Sequence, residues 1–112
     1  MLFRTLFSRA ADTSDLGLEA FARAVQAGEA TVVDVREPHE FMAGHIPGAV
    51  NLPLSRFEPM SLPSGKPVVL ICQAGGRSRN ALLSAHAAGR SDVRHFAGGM
   101  SQWRKAGGMV AS

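Results

Sequence analysis

Short apolar runs alternate along the chain with segments of helical spacing. Thr31-Val32-Val33-Asp34-Val35, Ala49-Val50-Asn51-Leu52, Val68-Val69-Leu70-Ile71 and Val93-Arg94-His95-Phe96 read as strands, being short, largely β-branched and bounded by turn residues. The first is apolar on successive positions, as in a strand covered on both faces. Leu18, Phe21, Ala22 and Val25 recur at helical spacing and predict a helix over Leu18 to Ala27, stopped by Gly28. Pro38 to Ala43 reads as a short helix with proline in its first turn. Arg77 to Ala88 places Ala81, Leu82, Ala85 and Ala88 on one face and ends at Gly89. Met100 to Ala106 predicts a last helix, stopped by Gly107-Gly108. Residues 53–67 carry four of the six prolines and form a connection, with a helical turn near Leu54 to Glu58.

Strand and helix in alternation argue for a layered α/β domain with a mainly parallel sheet. A chain of 112 residues suits one domain, with no internal repeat. The domain is expected over residues 14–112. Residues 1–13 form an N-terminal tail, an edge strand or a short surface-binding helix. Arg4 and Arg9 interrupt the apolar start, so no secretory signal is read. No apolar run approaches the ~20 residues of a membrane span. The expected setting is cytoplasmic, with no membrane partner.

Apolar residues at 46% and charged residues at 19% describe a globular chain and exclude disorder, collagen and coiled coil. Charge is unevenly placed: residues 1–65 hold five Lys/Arg and eight Asp/Glu, and residues 66–112 hold seven Lys/Arg and one acid, Asp92. A positive half favours anionic ligands. The basic residues are scattered without interleaved aromatics, so no nucleic-acid partner is read.

Cys72 is the only cysteine, which rules out an intrachain disulfide. A lone thiol is either an inert core residue or a reactive one. Cys72 follows the most strand-like segment, and Gln73-Ala74-Gly75-Gly76 and a helix start come next. In open α/β sheets ligands bind at the carboxyl ends of strands. Loop amides, the positive end of the helix, and Arg77 and Arg79 would all favour a thiolate at Cys72. Gly75 and Gly76 would supply the positive φ angles of a loop curled round sulfur.

Three segments resemble one family, the rhodanese-like sulfurtransferases. Asp34-Val35-Arg36-Glu37-Pro38-His39-Glu40-Phe41 with Gly44-His45-Ile46-Pro47-Gly48-Ala49 resembles its first signature. Cys72-Gln73-Ala74-Gly75-Gly76-Arg77-Ser78 resembles its active-site loop. Phe96-Ala97-Gly98-Gly99-Met100, with Trp103 and Gly107 following, resembles its C-terminal signature. The resemblance implies a three-layer rhodanese-like fold, a central mostly parallel five-stranded sheet flanked by helices. It implies Cys72 as the catalytic nucleophile, and Gln73, Ala74, Gly75, Gly76, Arg77 and Ser78 as the substrate-binding loop, with Asp34 and Arg36 supporting it. Cys72 would take a sulfane sulfur from thiosulfate, a polysulfide or a low-molecular-weight persulfide and pass it to cyanide or a thiol, with no cofactor and no metal. The alternative is a sulfur-relay or regulatory module that docks a protein partner with little free turnover.

Cys72 and Arg77 bracket four residues, whereas related phosphatases have five; position 78 is Ser, so the longer pattern fails. Within the loop, residues 73–76 are uncharged, which disfavours a dianionic donor. Arg36 and Glu40 are expected as i,i+4 partners that brace the loop. His45 sits in a turn sequence and reads as framework; His39, His86 and His95 show no metal-ligand spacing. Trp103 and Met100 read as core. Ser78 is either a hydroxyl donor to the sulfur or an ordinary first-turn residue.

Overall fold

The computed structural model describes residues 15–112. The elements, in order, are α1 (Leu18–Ala27), β1 (Thr31–Asp34), α2 (Pro38–Met42), β2 (Val50–Asn51), β3 (Val68–Ile71), α3 (Gly76–Ala87), β4 (Val93–His95) and α4 (Gly99–Lys105). Two 3-10 turns, Leu54–Arg56 and Pro59–Ser61, fill the proline-rich connection between β2 and β3. Prolines there deny the chain the N–H groups a longer helix needs.

The four strands pair in parallel in the order β2-β1-β3-β4. Val33 of β1 lies opposite Val50 and Leu70, and Leu70 of β3 lies opposite His95. Side chains alternate faces along a strand, and two cores result. Val33, Val35, Val68, Leu70, Cys72 and Val93 pack with Ala81, Leu82 and Ala85 of α3. Val32, Val69 and Ile71 pack on the other face with Phe21 of α1 and Met100 and Trp103 of α4. The ring of Phe21 stacks on Phe96 at 4.5 Å and meets Trp103 edge-on at 5.4 Å. β3 is buried along its whole length, as a central parallel strand must be.

The sheet has four strands among the described residues, not the expected five. Asp15 makes one parallel bridge to His95 at the outer edge of β4. Leu16 N–H then donates to the His95 carbonyl at 3.0 Å, and Gly17 caps α1, so the chain leaves the edge after one bridge. The candidate edge strand within residues 1–13 lies outside the described residues.

Candidate active site

From β1 the chain moves outward to β2, then returns past β1 to lay down β3 and β4 on the other side. The order reverses between β1 and β3, and that reversal opens a crevice beyond the carboxyl ends of those two strands. Val35 and Arg36 leave β1 there, and Cys72 leaves β3. Val35 N–H donates to the Ile71 carbonyl at 2.9 Å, which carries the β1–β3 pairing up to the crevice. Topology thus places the sole cysteine where an open sheet binds ligands.

The loop closes round the sulfur. Gly75 N–H points at Cys72 Sγ from 3.1 Å and Ser78 N–H from 3.3 Å. The Ser78 hydroxyl oxygen is 3.6 Å from the sulfur. Gly75 is the N-cap of α3 and brings no side chain to cap it. Cys72 Sγ therefore accepts an N–H that the first turn of a helix otherwise leaves unpaired. Burial pushes the Cys72 thiol up, but the Ser78 hydroxyl and the amides of Ser78, Gly75 and Ala74 outweigh it and bring it below its ordinary value. A thiolate is the form that these donors stabilise.

Two glycines make the geometry available. Gly75 has φ 102°, and a Cβ there would lie 2.5 Å from the Ala97 carbonyl oxygen. Gly99 has φ 66°, and a Cβ there would strike the carbonyls of Gln73 and Cys72. The close approach lets Met100 N–H donate to the Cys72 carbonyl at 2.8 Å and Ser101 N–H to the Gln73 carbonyl at 3.1 Å. The start of α4 thus holds the loop from behind. Gly76, expected to need a positive φ, has none; it is the first residue of α3, with open space about it.

Asp34 and Arg36 form a buried ion pair rather than lining the crevice as free charges. Arg36 Nη2 is 2.7 Å from Asp34 Oδ2, and the two side chains are 3% and 0% exposed. Arg36 also donates to the Gly44 carbonyl at 2.8 Å, tying β1 to the end of α2. Asn51 Nδ2 donates to the carbonyls of Asp34 and Arg36, fixing the chain as it leaves the sheet. The expected Arg36–Glu40 pairing is corrected: Arg36 precedes Glu37, the N-cap of α2, so it lies outside the helix and an i,i+4 rule does not apply.

Glu40 instead meets Arg77, with Nη1 to Oε1 at 2.7 Å and Nη2 to Oε2 at 3.0 Å. Glu40 Oε1 also accepts the Glu37 N–H at 3.0 Å. The loop cation is therefore neutralised where it stands. Arg79 is exposed at the rim, as are Gln73, Ala74 and Gly76.

His45 belongs to the framework: its Nδ1 lies 2.8 Å from the Phe41 carbonyl, its ring stacks on Phe41 at 3.8 Å, and its backbone bridges to Ala111. Trp103 is a core residue whose Nε1–H donates to the Met109 carbonyl. An apolar groove of about 500 Å³ between α1 and α4, lined by Val25, Pro47, Trp103 and Met109, shares no residue with the Cys72 loop. Among the described residues no group of three His, Cys, Asp or Glu is placed to hold a metal ion, and no helix is long and apolar enough to cross a membrane.

One neighbour of the site went unread in the sequence. His95 Nδ1 lies 2.9 Å from Ser78 Oγ. Its ring lies in a strand buried along its whole length, and a buried polar ring needs a partner.

A family model for the rhodanese-like domain matches residues 18–106. The chain is 34% identical over 85 residues to the thiosulfate sulfurtransferase GlpE of Pseudomonas syringae, covering 74% of this chain and 80% of that one. It is 49% identical over 78 residues to an uncharacterized protein of Synechocystis, covering 68% of this chain and 44% of that protein. It spans about half the length of that and other curated relatives it matches. Among solved structures, the human single-domain sulfurtransferase superposes with a TM-score of 0.71 at 29% identity, covering 83% of this chain and 96% of that one. With the family's match running from α1 to the end of α4, this chain belongs to the rhodanese-like domain family.

Proposed function

We propose that this chain is a sulfurtransferase whose Cys72 carries sulfur as a persulfide. The observation that carries this reading is the convergence of the Gly75 and Ser78 amides on Cys72 Sγ. In the first half-reaction the thiolate attacks the outer sulfur of a sulfane donor. An S–S bond forms at Cys72 and the donor's S–S bond breaks, its electron pair leaving with sulfite when the donor is thiosulfate. In the second, cyanide or a thiolate attacks the outer sulfur of the persulfide and the Cys72 thiolate departs. Each persulfide step leaves a negative sulfur near the loop, where fixed amides act as an oxyanion hole does. Two half-reactions through one covalent intermediate predict ping-pong kinetics.

The Arg77–Glu40 pair bears on the donor. With Arg77 neutralised and residues 73–76 uncharged, the loop itself brings no free side-chain cation to a dianion. Glutathione or protein persulfides, with one negative charge at the reacting end, fit this rim better than the thiosulfate dianion. The same feature favours the second reading, a relay module loaded by a protein partner with little turnover on free donors. Comparison with the GlpE enzyme supports the sulfur-transfer chemistry but leaves the donor to experiment.

Intact mass after incubation with glutathione persulfide or thiosulfate tests the proposal. A gain of one sulfur atom, absent in Cys72→Ser, is expected. No gain with any sulfane donor would overturn it and leave a docking module.

A further inference from the structure

His95 closes β4, next to the strand that delivers Cys72, and is 4% exposed. Its backbone is held on both sides: its carbonyl accepts Leu16 N–H at 3.0 Å, and Phe96 N–H donates to the Leu70 carbonyl at 2.9 Å. The ring therefore has little freedom to move away from Ser78. Ser78 Oγ lies 2.9 Å from His95 Nδ1, 3.2 Å from the Gly75 carbonyl and 3.6 Å from Cys72 Sγ. Ser78 is fully buried, so its hydroxyl chooses among these three neighbours.

A hydroxyl has one hydrogen to give and two lone pairs to accept with. The Gly75 carbonyl and a thiolate can only accept. A bare Nδ1, as the nearest acceptor, would take the Ser78 hydrogen and deprive the sulfur of it. A protonated Nδ1 instead donates to Ser78 Oγ and releases the hydroxyl hydrogen. The Gly75 carbonyl at 3.2 Å is the nearer acceptor and the sulfur at 3.6 Å the charged one, so an unheld hydroxyl divides between them, while an Oγ held by Nδ1–H turns its hydrogen to the charge-assisted bond with sulfur.

We propose that His95 is a positioning residue for Cys72: its Nδ1–H donates to Ser78 Oγ and so aims the Ser78 hydroxyl hydrogen at Cys72 Sγ. The inference rests on Cys72 being the reacting sulfur and extends the site to a residue outside the loop. Burial holds the imidazole below its ordinary range; the charge of Asp15 opposes this and that of Arg79 reinforces it. The ring is accordingly neutral near pH 7 and carries a single N–H, so the choice of tautomer decides which way Ser78 points.

The test is the titration of Cys72, followed through the pH dependence of its alkylation rate, in the full chain. His95→Leu is expected to raise the midpoint by about one pH unit, the scale of one hydrogen bond to a charged group. His95→Asn, whose amide N–H falls near the position of Nδ1, is expected to recover most of that shift. In a Ser78→Ala background, His95→Leu should add nothing. An unchanged midpoint in folded His95→Leu, or a shift of the same size without Ser78, overturns the proposal. Nitrogen NMR of the wild-type imidazole gives a second readout that needs no variant: a proton on Nδ1 is expected, and a bare Nδ1 overturns the proposal. Sulfur loading of the wild-type protein, scored by mass, separately tests the transfer reading, since a thiol can be tuned by His95 whether or not it accepts sulfur.

Discussion

The Arg77 guanidinium grips the Glu40 carboxylate through two parallel contacts of 2.7 and 3.0 Å, joining α3 to α2 across 37 residues of chain. The hydrogen bond from Arg77 is the main cause that brings the Glu40 carboxyl down from 4.5 to about 2; burial opposes it, and the Glu37 N–H and the charges of Arg77 and Arg36 assist. The pair turns the loop's one cation from a substrate ligand into a brace.

Glu40→Gln removes the neutralising charge and leaves Arg77 free to meet an anion. With both side chains about a third exposed, solvent screens the interaction to ~1 kcal/mol or less. The KM for thiosulfate is expected to fall up to about fivefold, with little change for an uncharged trisulfide donor. Equal changes for both donors would show that Arg77 only shapes the loop. The pair also has a pH signature. Because the folded carboxyl is depressed, its contribution to stability is full above about 4.5 and is lost as pH falls toward about 2. Acid unfolding curves of wild type and Glu40→Gln should therefore converge across that window, and parallel curves would contradict the pairing.

Asp34→Asn removes the counter-charge of a buried pair, leaving the Arg36 guanidinium to the neutral amide oxygen and the Gly44 carbonyl. Removing one partner of such a pair costs about 3–5 kcal/mol. Thermal unfolding is expected to show a loss of that order. A loss under 1 kcal/mol for Asp34→Asn would mean that the carboxylate does not hold the β1 exit.

Gly99→Ala tests whether α4 holds the loop. The new methyl would meet the Cys72 carbonyl oxygen at 2.7 Å, on a backbone with φ 66°. Overpacking of this kind costs about 1–3 kcal/mol. Displacement of Cys72 relative to its amide donors is expected to slow sulfur loading about tenfold or more. A stopped-flow measurement of persulfide formation that matched wild type would show that the loop keeps its shape without this contact.

Much of the fold was legible in the chain because local signals and tertiary demands agree. The spacing of Leu18, Phe21 and Val25 marked α1, Gly28 ended it, and Val68 to Ile71 marked the central strand. The position of Cys72 after that strand was legible for the same reason, and with it the loop. The charge partners were not. Glu40 reached Arg77 in α3 because α2 and α3 meet only in the folded chain, and Arg36, ahead of the α2 N-cap, turned back to Asp34 two residues before it. Ser78 read equally as donor or first-turn residue; it lies in the first turn of α3, and its neighbour His95, brought there by β4, was not foreseen. The edge strand expected before residue 14 falls outside the described residues, among which Asp15 and Leu16 meet the sheet edge at His95.

Sulfur carriage by Cys72 requires that fixed amides keep its thiol ionised and able to take up sulfur. Titration of wild-type Cys72 by the pH dependence of its alkylation rate tests it most directly. The midpoint is expected clearly below the ~8.5 of an ordinary cysteine, with Cys72, 1% exposed, still reacting without unfolding of the protein. A midpoint at or above that value, or a thiol that reacts only after unfolding, would contradict it.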